Sequence, residues 1–263
     1  MVKQAVVFCW LMVVSGPMAF SQGILEGIME GKGRIVDLTH KLSPKIPYWP
    51  GKTYKPFRFE TIATLEKDKV FSGAFWTPEH IGTHVDAPNH FVAGQIPVDA
   101  IPLRQLISPA VVIDVREPVG KNADYQLTVA AIEQWENTHG RIPRGALVFL
   151  YTGWDGRWND TRAYRNQDAR AVMHFPGFSP ESAEFLARQR DISGIGIDTL
   201  SVDYGPSKDF RVHHITHGAG KYHVENAANL GQLPPTGAVV IVAAVPIEGG
   251  SGGPARVFAL MSH

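Results

Sequence analysis

Residues 80–90 read HIGTHVDAPNH, three histidines and one aspartate within eleven positions. The composition of this window argues against a helix. Gly82 and β-branched Thr83 separate His80 from His84, no HExxH glutamate is present, and Pro88 lies just beyond. Alternation suits the window better, because at period two His80, Gly82, His84 and Asp86 share one face of a strand. A straight strand rises about 3.3 Å per residue and would hold His80 and Asp86 roughly 20 Å apart. Ligands of one ion sit only about 2.0–2.2 Å from it. The segment must therefore bend, and Gly82 is the residue suited to supply the bend. Pro88 then turns the chain so that His90 can come back towards the same place.

A second window, RVHHITHGAGKYHVEN, holds His213, His214, His217 and His223 within eleven residues and adds Glu225. Seven of the chain's eleven histidines thus fall in two short stretches, although a lone histidine is more often a satisfied polar residue. The bland reading of the second window is a pH-sensitive surface loop. Imidazoles and carboxylates without thiolate suit Zn, Mn or Fe more than Ca or Mg, which prefer all-oxygen shells.

Thiolate is excluded because the single cysteine, Cys9, lies in a segment with the layout of a secretory signal. In residues 1–21, Lys3 precedes an apolar run from Ala5 to Val14, which Ser15, Gly16 and Pro17 interrupt ahead of the small pair Ala19 and Ser21. Cleavage before Gln22 is expected, with the remainder, 22–263, forming one soluble domain in the periplasm or outside the cell. The run is about half of the roughly 20 residues a membrane span needs, so no membrane association is expected after cleavage. Loss of Lys3 takes the balanced formal charge to minus one, which gives no footing for nucleic acid.

Residues 34–40, 110–115, 146–153, 192–203, 238–246 and 255–260 read as strands. SPESAEFLARQR reads as a helix capped by Ser179 with Pro180 in its first turn, and TVAAIEQWENTH as a second. Strands dominate, with two or three helices, so the expected class is α+β.

The residues resemble the cyclase-like metal-dependent hydrolases that include kynurenine formamidase and isatin hydrolase, with isatin hydrolase the nearer in its leader and length. The likeness runs from RIVDLTHKLSPKIPYWPG through HIGTHVDAPNHF, YTGW, FPGFSPESAEFLA, IGIDTLSVD and HVENAANL to SGGPARVFAL. It implies a swivelling β/β/α-type single domain, a homodimer, and hydrolysis of a C–N bond in a small aromatic amide or lactam. Isatin to isatinate is the first choice of reaction, and N-formylkynurenine hydrolysis the alternative. By the same resemblance His80, His84 and Asp86 are ligands of a first divalent metal, Mn2+ before Zn2+. His90 is the acid/base, and His213 with Glu225 holds a second ion where two are present.

Trp49, Phe75, Trp76 and Trp154 flank these motifs and are the candidate substrate-binding aromatics, although aromatic residues of a strand-rich domain often lie in its core. GGSGG around Ser251 matches a nucleophile-elbow pattern, but Pro254 and a β-rich run follow where a helix is required, and no acid lies downstream. A secreted metal- or ligand-binding protein using the same histidines is the non-enzymatic alternative.

Overall fold

The computed structural model describes residues 17–262, with side chains from Gly23. Of the expected leader, residues 1–16 lie outside the described residues. The described residues form twelve strands: β1 Gly33–Asp37, β2 Arg58–Ala63, β3 Ser72–Trp76, β4 His84–Asp86, β5 Ile107–Asp114, β6 Gln126–Leu127, β7 Leu147–Tyr151, β8 Gly177–Phe178, β9 Gly194–Ile197, β10 Tyr222–Glu225, β11 Ala238–Ala244 and β12 Gly252–Ser262. The α-helices are α1 Pro17–Met29, α2 Leu65–Asp68, α3 Arg116–Lys121, α4 Val129–His139, α5 Thr161–Arg165, α6 Pro180–Glu184 and α7 Arg211–Gly218. No described helix is long and apolar enough to cross a membrane.

The main sheet runs β12-β11-β5-β7-β9-β10-β4 and closes because β4 pairs with β12, giving a seven-stranded barrel. The 11-residue β12 makes closure possible. Its start, Gly252 to Pro254, pairs with β4, while its end pairs with β1 on the same edge. The strands β5, β7, β9 and β10 are mutually parallel, and β4, β11 and β12 join antiparallel.

Alternation sorts the side chains onto two faces. Ala110 and Val112 of β5, Leu147 and Phe149 of β7, and Val224 of β10 belong to the cluster that also takes in Val85, Val240 and Val257. Val111, Ile113, Val148 and Leu150 face the opposite way and pack with Ile132 and Trp135 of α4 and Ala183 of α6. Both faces of β7 are buried, which is why residues 146–150 read as an unbroken apolar run.

The strand-rich α+β single domain is as expected from the sequence, but seven α-helices stand among the described residues where two or three were expected, because α2, α3 and α5 are too short to leave a periodic signal. Thr128 accepts from the amide of Ala131 at the start of α4, and Ser179 from that of Ser182 at the start of α6. The second of these helices continues from Phe185 to Arg190 as a wider turn. Residues 192–203 form a strand only to Ile197, and the rest is loop. There Asp198 is fully buried and accepts from the Thr152 amide at 3.0 Å, its hydroxyl at 2.7 Å and the Trp154 amide at 2.9 Å.

Replacing Asp198 by alanine leaves the buried Thr152 amide and hydroxyl without their acceptor. At about 1–3 kcal/mol for each buried group left unpaired, Asp198→Ala is expected to cost about 2–4 kcal/mol, read from urea unfolding midpoints at constant slope.

Candidate metal centre

The register of β4 against β10 builds the centre. His223 lies opposite Asp86, and Glu225 opposite His84, while Val85 and Val224 between them turn to the barrel interior. Four polar side chains therefore share one face of a two-stranded ladder, all of them buried. From outside this ladder come His213 of α7 and His80, which precedes β4.

His80 arrives by a turn, not by a continuous strand. Residues 79–83 form a bend, and Gly82 takes φ +63°, a conformation open to glycine at little cost. The Gly82 carbonyl is held by the Asn226 side-chain amide at 3.0 Å and by His84 Nδ1 at 2.8 Å. The Thr83 hydroxyl donates to the Asn226 carbonyl at 2.6 Å. The bend brings His80 Nδ1 to 2.6 Å from Asp86 Oδ1.

Each ring is turned by a partner on its outer nitrogen. His84 Nδ1–H donates to Gly82, and His213 Nδ1–H donates to Asp203 Oδ2 at 2.6 Å. His80 Nε2–H donates to Ser251 Oγ at 2.9 Å, since the Ser251 hydroxyl donates to Glu79 at 2.5 Å. His223 Nε2–H donates to Thr216 Oγ1 at 2.5 Å, and that hydroxyl donates onward to the Val212 carbonyl at 2.7 Å. In the neutral rings this leaves every inner nitrogen as an acceptor. His84 Nε2 lies 3.1 Å from Asp86 Oδ1 and 3.6 Å from Glu225 Oε2. His213 Nε2 lies 3.4 Å from Asp86 Oδ2 and 3.4 Å from Glu225 Oε1. Two groups of donor atoms result, His80–His84–Asp86 and Asp86–His213–His223–Glu225, joined through Asp86.

Lone pairs facing carboxylates demand positive charge between them. Burial pushes His84 down, but the Asp86 and Glu225 carboxylates outweigh it and raise its pKa to about 9. His213 is likewise driven down by burial and lifted well above the ordinary imidazole range by Asp203, Asp86 and Glu225. Burial raises Asp86, yet the His84 and His80 charges hold it well below the usual carboxylate range. For Glu225, burial and the charge of Asp86 push upward. Imidazole and carboxylate donors turned inward by hydrogen bonds on their outer atoms are the arrangement that suits a divalent metal.

His90 sits in a 3-10 turn, Pro88 to His90, with its ring stacked on His80 at 3.8 Å between centroids. It belongs to neither donor group, and burial pushes it down to about 3, so it is neutral near pH 7. Of the other histidines in the second window, His214 faces outward on α7 and His217 is fully buried.

A cavity of about 240 Å³ opens onto His80, His84, Asp86, His213 and Glu225. Trp49 lines it together with Tyr54, Phe91, Leu200 and Phe210. The other three aromatics named from the sequence do not. Trp154 is buried in the core, because Gly153 at φ +76° turns it inward and its indole N–H donates to the Tyr164 carbonyl at 2.8 Å. Phe75 and Trp76 stand on the exposed β2–β3 hairpin, Trp76 beneath the Arg58 guanidinium. Ser251 is followed directly by β12 and its hydroxyl is engaged by Glu79, so it lacks the helix of a nucleophile elbow.

Sequence reasoning passed over several participants. His223 was legible only as a member of the clustered window, and Phe91 only as the neighbour of His90. Asp203 was legible only as the end of IGIDTLSVD, and Thr216 and Phe210 carry no local signal at all.

Gly82 is directly testable. A Cβ there would meet Leu42 Cδ2 at 2.7 Å and impose a left-handed backbone on alanine, which alone costs about 1–2 kcal/mol. Gly82→Ala is expected to lower both stability and metal affinity. Gly94→Ala, at φ +79° with open space around it, should lower stability alone, by calorimetry and metal titration.

The chain is similar to known proteins over most of its length. The family model described as "Putative cyclase" matches residues 36–204. Isatin hydrolase of Roseibium aggregatum is 32% identical over 254 residues, covering 91% of this chain and 96% of the relative. Kynurenine formamidase of Geobacillus thermodenitrificans is 29% identical, covering 84% and 94%. Among solved structures, isatin hydrolase A from Ralstonia solanacearum superposes with a TM-score of 0.87 at 36% identity, covering 96% of this chain and all of that one. An isatin hydrolase bound to the product analogue thioisatinate gives 0.87 at 30% identity, covering 94% of this chain and all of that one. By both sequence and fold, the chain belongs to the cyclase family of hydrolases.

Proposed function

We propose that the protein cleaves the lactam C–N bond of isatin to give isatinate, using a divalent metal, Mn2+ before Zn2+, with His90 as acid/base. The observation that carries this reading is the set of imidazole nitrogens and carboxylate oxygens converging on Asp86 beside an aromatic-walled cavity. A divalent ion held there supplies Lewis acidity to a carbonyl oxygen and lowers the pKa of water from 15.7 towards about 7.

The chain's own residues supply the rest. His84 and His213 are oriented in advance by Gly82 and Asp203, so no ring has to reorganise. Neutral His90 accepts a proton from the attacking water and delivers it to the leaving nitrogen. Trp49, Phe91 and Phe210 offer flat apolar walls, with Trp49 and Phe210 at 5.8 Å and Phe91 and Phe210 at 5.4 Å between centroids. Such walls suit a planar aromatic substrate.

The same proposal takes the chain to be exported, with mature protein starting at Gln22, and to act as a homodimer. The leader-like composition of residues 1–21 supports export. The apolar tips Phe71, Phe75 and Trp76 on the β2–β3 hairpin support a partner copy.

Purified protein loaded with Mn2+ or Zn2+ is expected to consume isatin, followed by loss of its visible absorbance, and to stop on chelation. His90→Ala should retain the metal while kcat falls by about 10²–10⁴-fold. Metal retention without hydrolysis of isatin, N-formylkynurenine or any other amide, lactam or cyclic imide overturns the enzyme reading. Cleavage of N-formylkynurenine alone would make the protein an arylformamidase.

A further inference from the structure

We propose that His223 is a protein ligand of the second ion, so that Asp86, His213, His223 and Glu225 form a closed four-donor site while His80, His84 and Asp86 form an open three-donor one. The inference rests on the metal-dependent reading above and extends it to a residue outside the ligand set that the resemblance implies.

The argument begins with register. His223 stands directly across from Asp86 in the β4–β10 ladder, which fixes its ring on the same face as the carboxylate. It is fully buried, and its Nδ1 has no hydrogen-bond partner among the described residues. A buried nitrogen left unpaired opposes folding, so one aimed at a cluster of donors calls for an explanation. The aim is fixed from behind. Thr216 donates its own proton to Val212, accepts from His223 Nε2–H, and thereby leaves Nδ1 as the lone-pair atom. His217 stacks on the His223 ring at 4.1 Å and 22°. These contacts hold the ring plane as well as its tautomer.

The spacing agrees with a tetrahedral ion. Bonds of about 2.0–2.2 Å in that geometry put neighbouring donors about 3.4 Å apart. His213 Nε2 lies 3.4 Å from Asp86 Oδ2 and 3.4 Å from Glu225 Oε1, and His223 Nδ1 lies 3.6 Å from Asp86 Oδ2. All four donor atoms are within 4.8 Å of one another. Four protein donors fill a tetrahedral shell and are typical of structural ions, whereas three leave a position for water or substrate. The open group is the one that includes His80, against which His90 is stacked. The two positions therefore divide the work. The closed ion fixes Asp86, and substrate meets the open one.

The test is Zn2+ titration of metal-stripped full-length mature protein by calorimetry, with metal content per chain measured after gel filtration and circular dichroism as the check on folding. Wild type is expected to take up two ions. His223→Phe, which keeps a stacked ring and removes the nitrogens, should retain one ion and lose the second or bind it at least about 100-fold more weakly. Thr216→Val keeps every ligand and frees the His223 tautomer, and should weaken only the second ion, by about 10–100-fold. It also tests the proposal if His223→Phe fails to fold. His84→Ala should lose the open position and keep the closed one. A single ion per chain in the wild type overturns the proposal, as does wild-type affinity for both ions in His223→Phe or Thr216→Val. Either result leaves isatin turnover to be judged separately. The expected stoichiometries without turnover of any amide would keep the closed site and sink the hydrolase reading.

Discussion

The carboxylate of Asp86 is the constraint on which the rest of the structure depends. Burying an ionised carboxylate costs several kcal/mol unless partners surround it, and Asp86 is 1% exposed. Its oxygens divide their partners cleanly. Oδ1 faces His80 and His84, and Oδ2 faces His213 and His223. The residue also belongs to β4, the three-residue strand that closes the barrel between β10 and β12. Closing the barrel and assembling the donors are thus one event. Gly252 shows the coupling directly. It pairs with Asp86 from β12, and a Cβ on it would meet the His80 ring at 2.5 Å and the Val85 carbonyl at 2.3 Å.

Orientation of the imidazoles is distributed over the fold. The turn at Gly82 holds His84, the start of β12 holds His80 through Ser251, the loop after β9 holds His213 through Asp203, and α7 holds His223 through Thr216. Four rings, each fixed from a different element, lose little freedom on meeting an ion, because folding has already ordered them. The arrangement ties metal affinity to the integrity of the whole barrel. It also explains why His80, His84, His213 and His223 are tolerated in one buried patch, since each has a partner on one side and a common centre on the other.

Parts of this were legible in the sequence for local reasons. The unbroken apolar run at residues 146–150 announces a strand buried on both faces, and HIGTHVDAPNH announces a bend because its spacing cannot otherwise converge. What could not be read depends on distant register or on neutral chemistry. His223 gains its place only because β10 pairs with β4 at that offset, which no property of KYHVEN determines. The helix α7 hides because Ile215 and Thr216 are β-branched, Gly218 ends it, and its cap position is Phe210 at φ +46°, with no capping side chain. The β2–β3 hairpin hides because both faces are largely exposed and carry Arg58 and Glu60 among apolar residues. Trp154 and Trp49 are the same residue type beside motifs of equal interest, and only the turn at Gly153 sends one of them into the core.

The aromatic walls of the cavity and its cluster of donor atoms come from different parts of the chain. The walls come from Trp49 in the segment after β1, Phe91 after the 3-10 turn, and Phe210 at the head of α7, none of which supplies a donor atom. On the proposed function, exchanging a wall would alter which ring is held flat without touching the donor atoms. The relatives that this chain resembles in sequence carry names that record different substrates, isatin and a formylated kynurenine. His90 is where the two parts meet. It stacks on His80 and touches Phe91 edge-on at 4.7 Å. On the proposed function, a substrate pressed against Phe91 would lie beside both His90 and the His80 ring on which it stacks. On that reading specificity and rate would be linked through this one ring, because Phe91 supplies a wall and His90 the neighbouring imidazole.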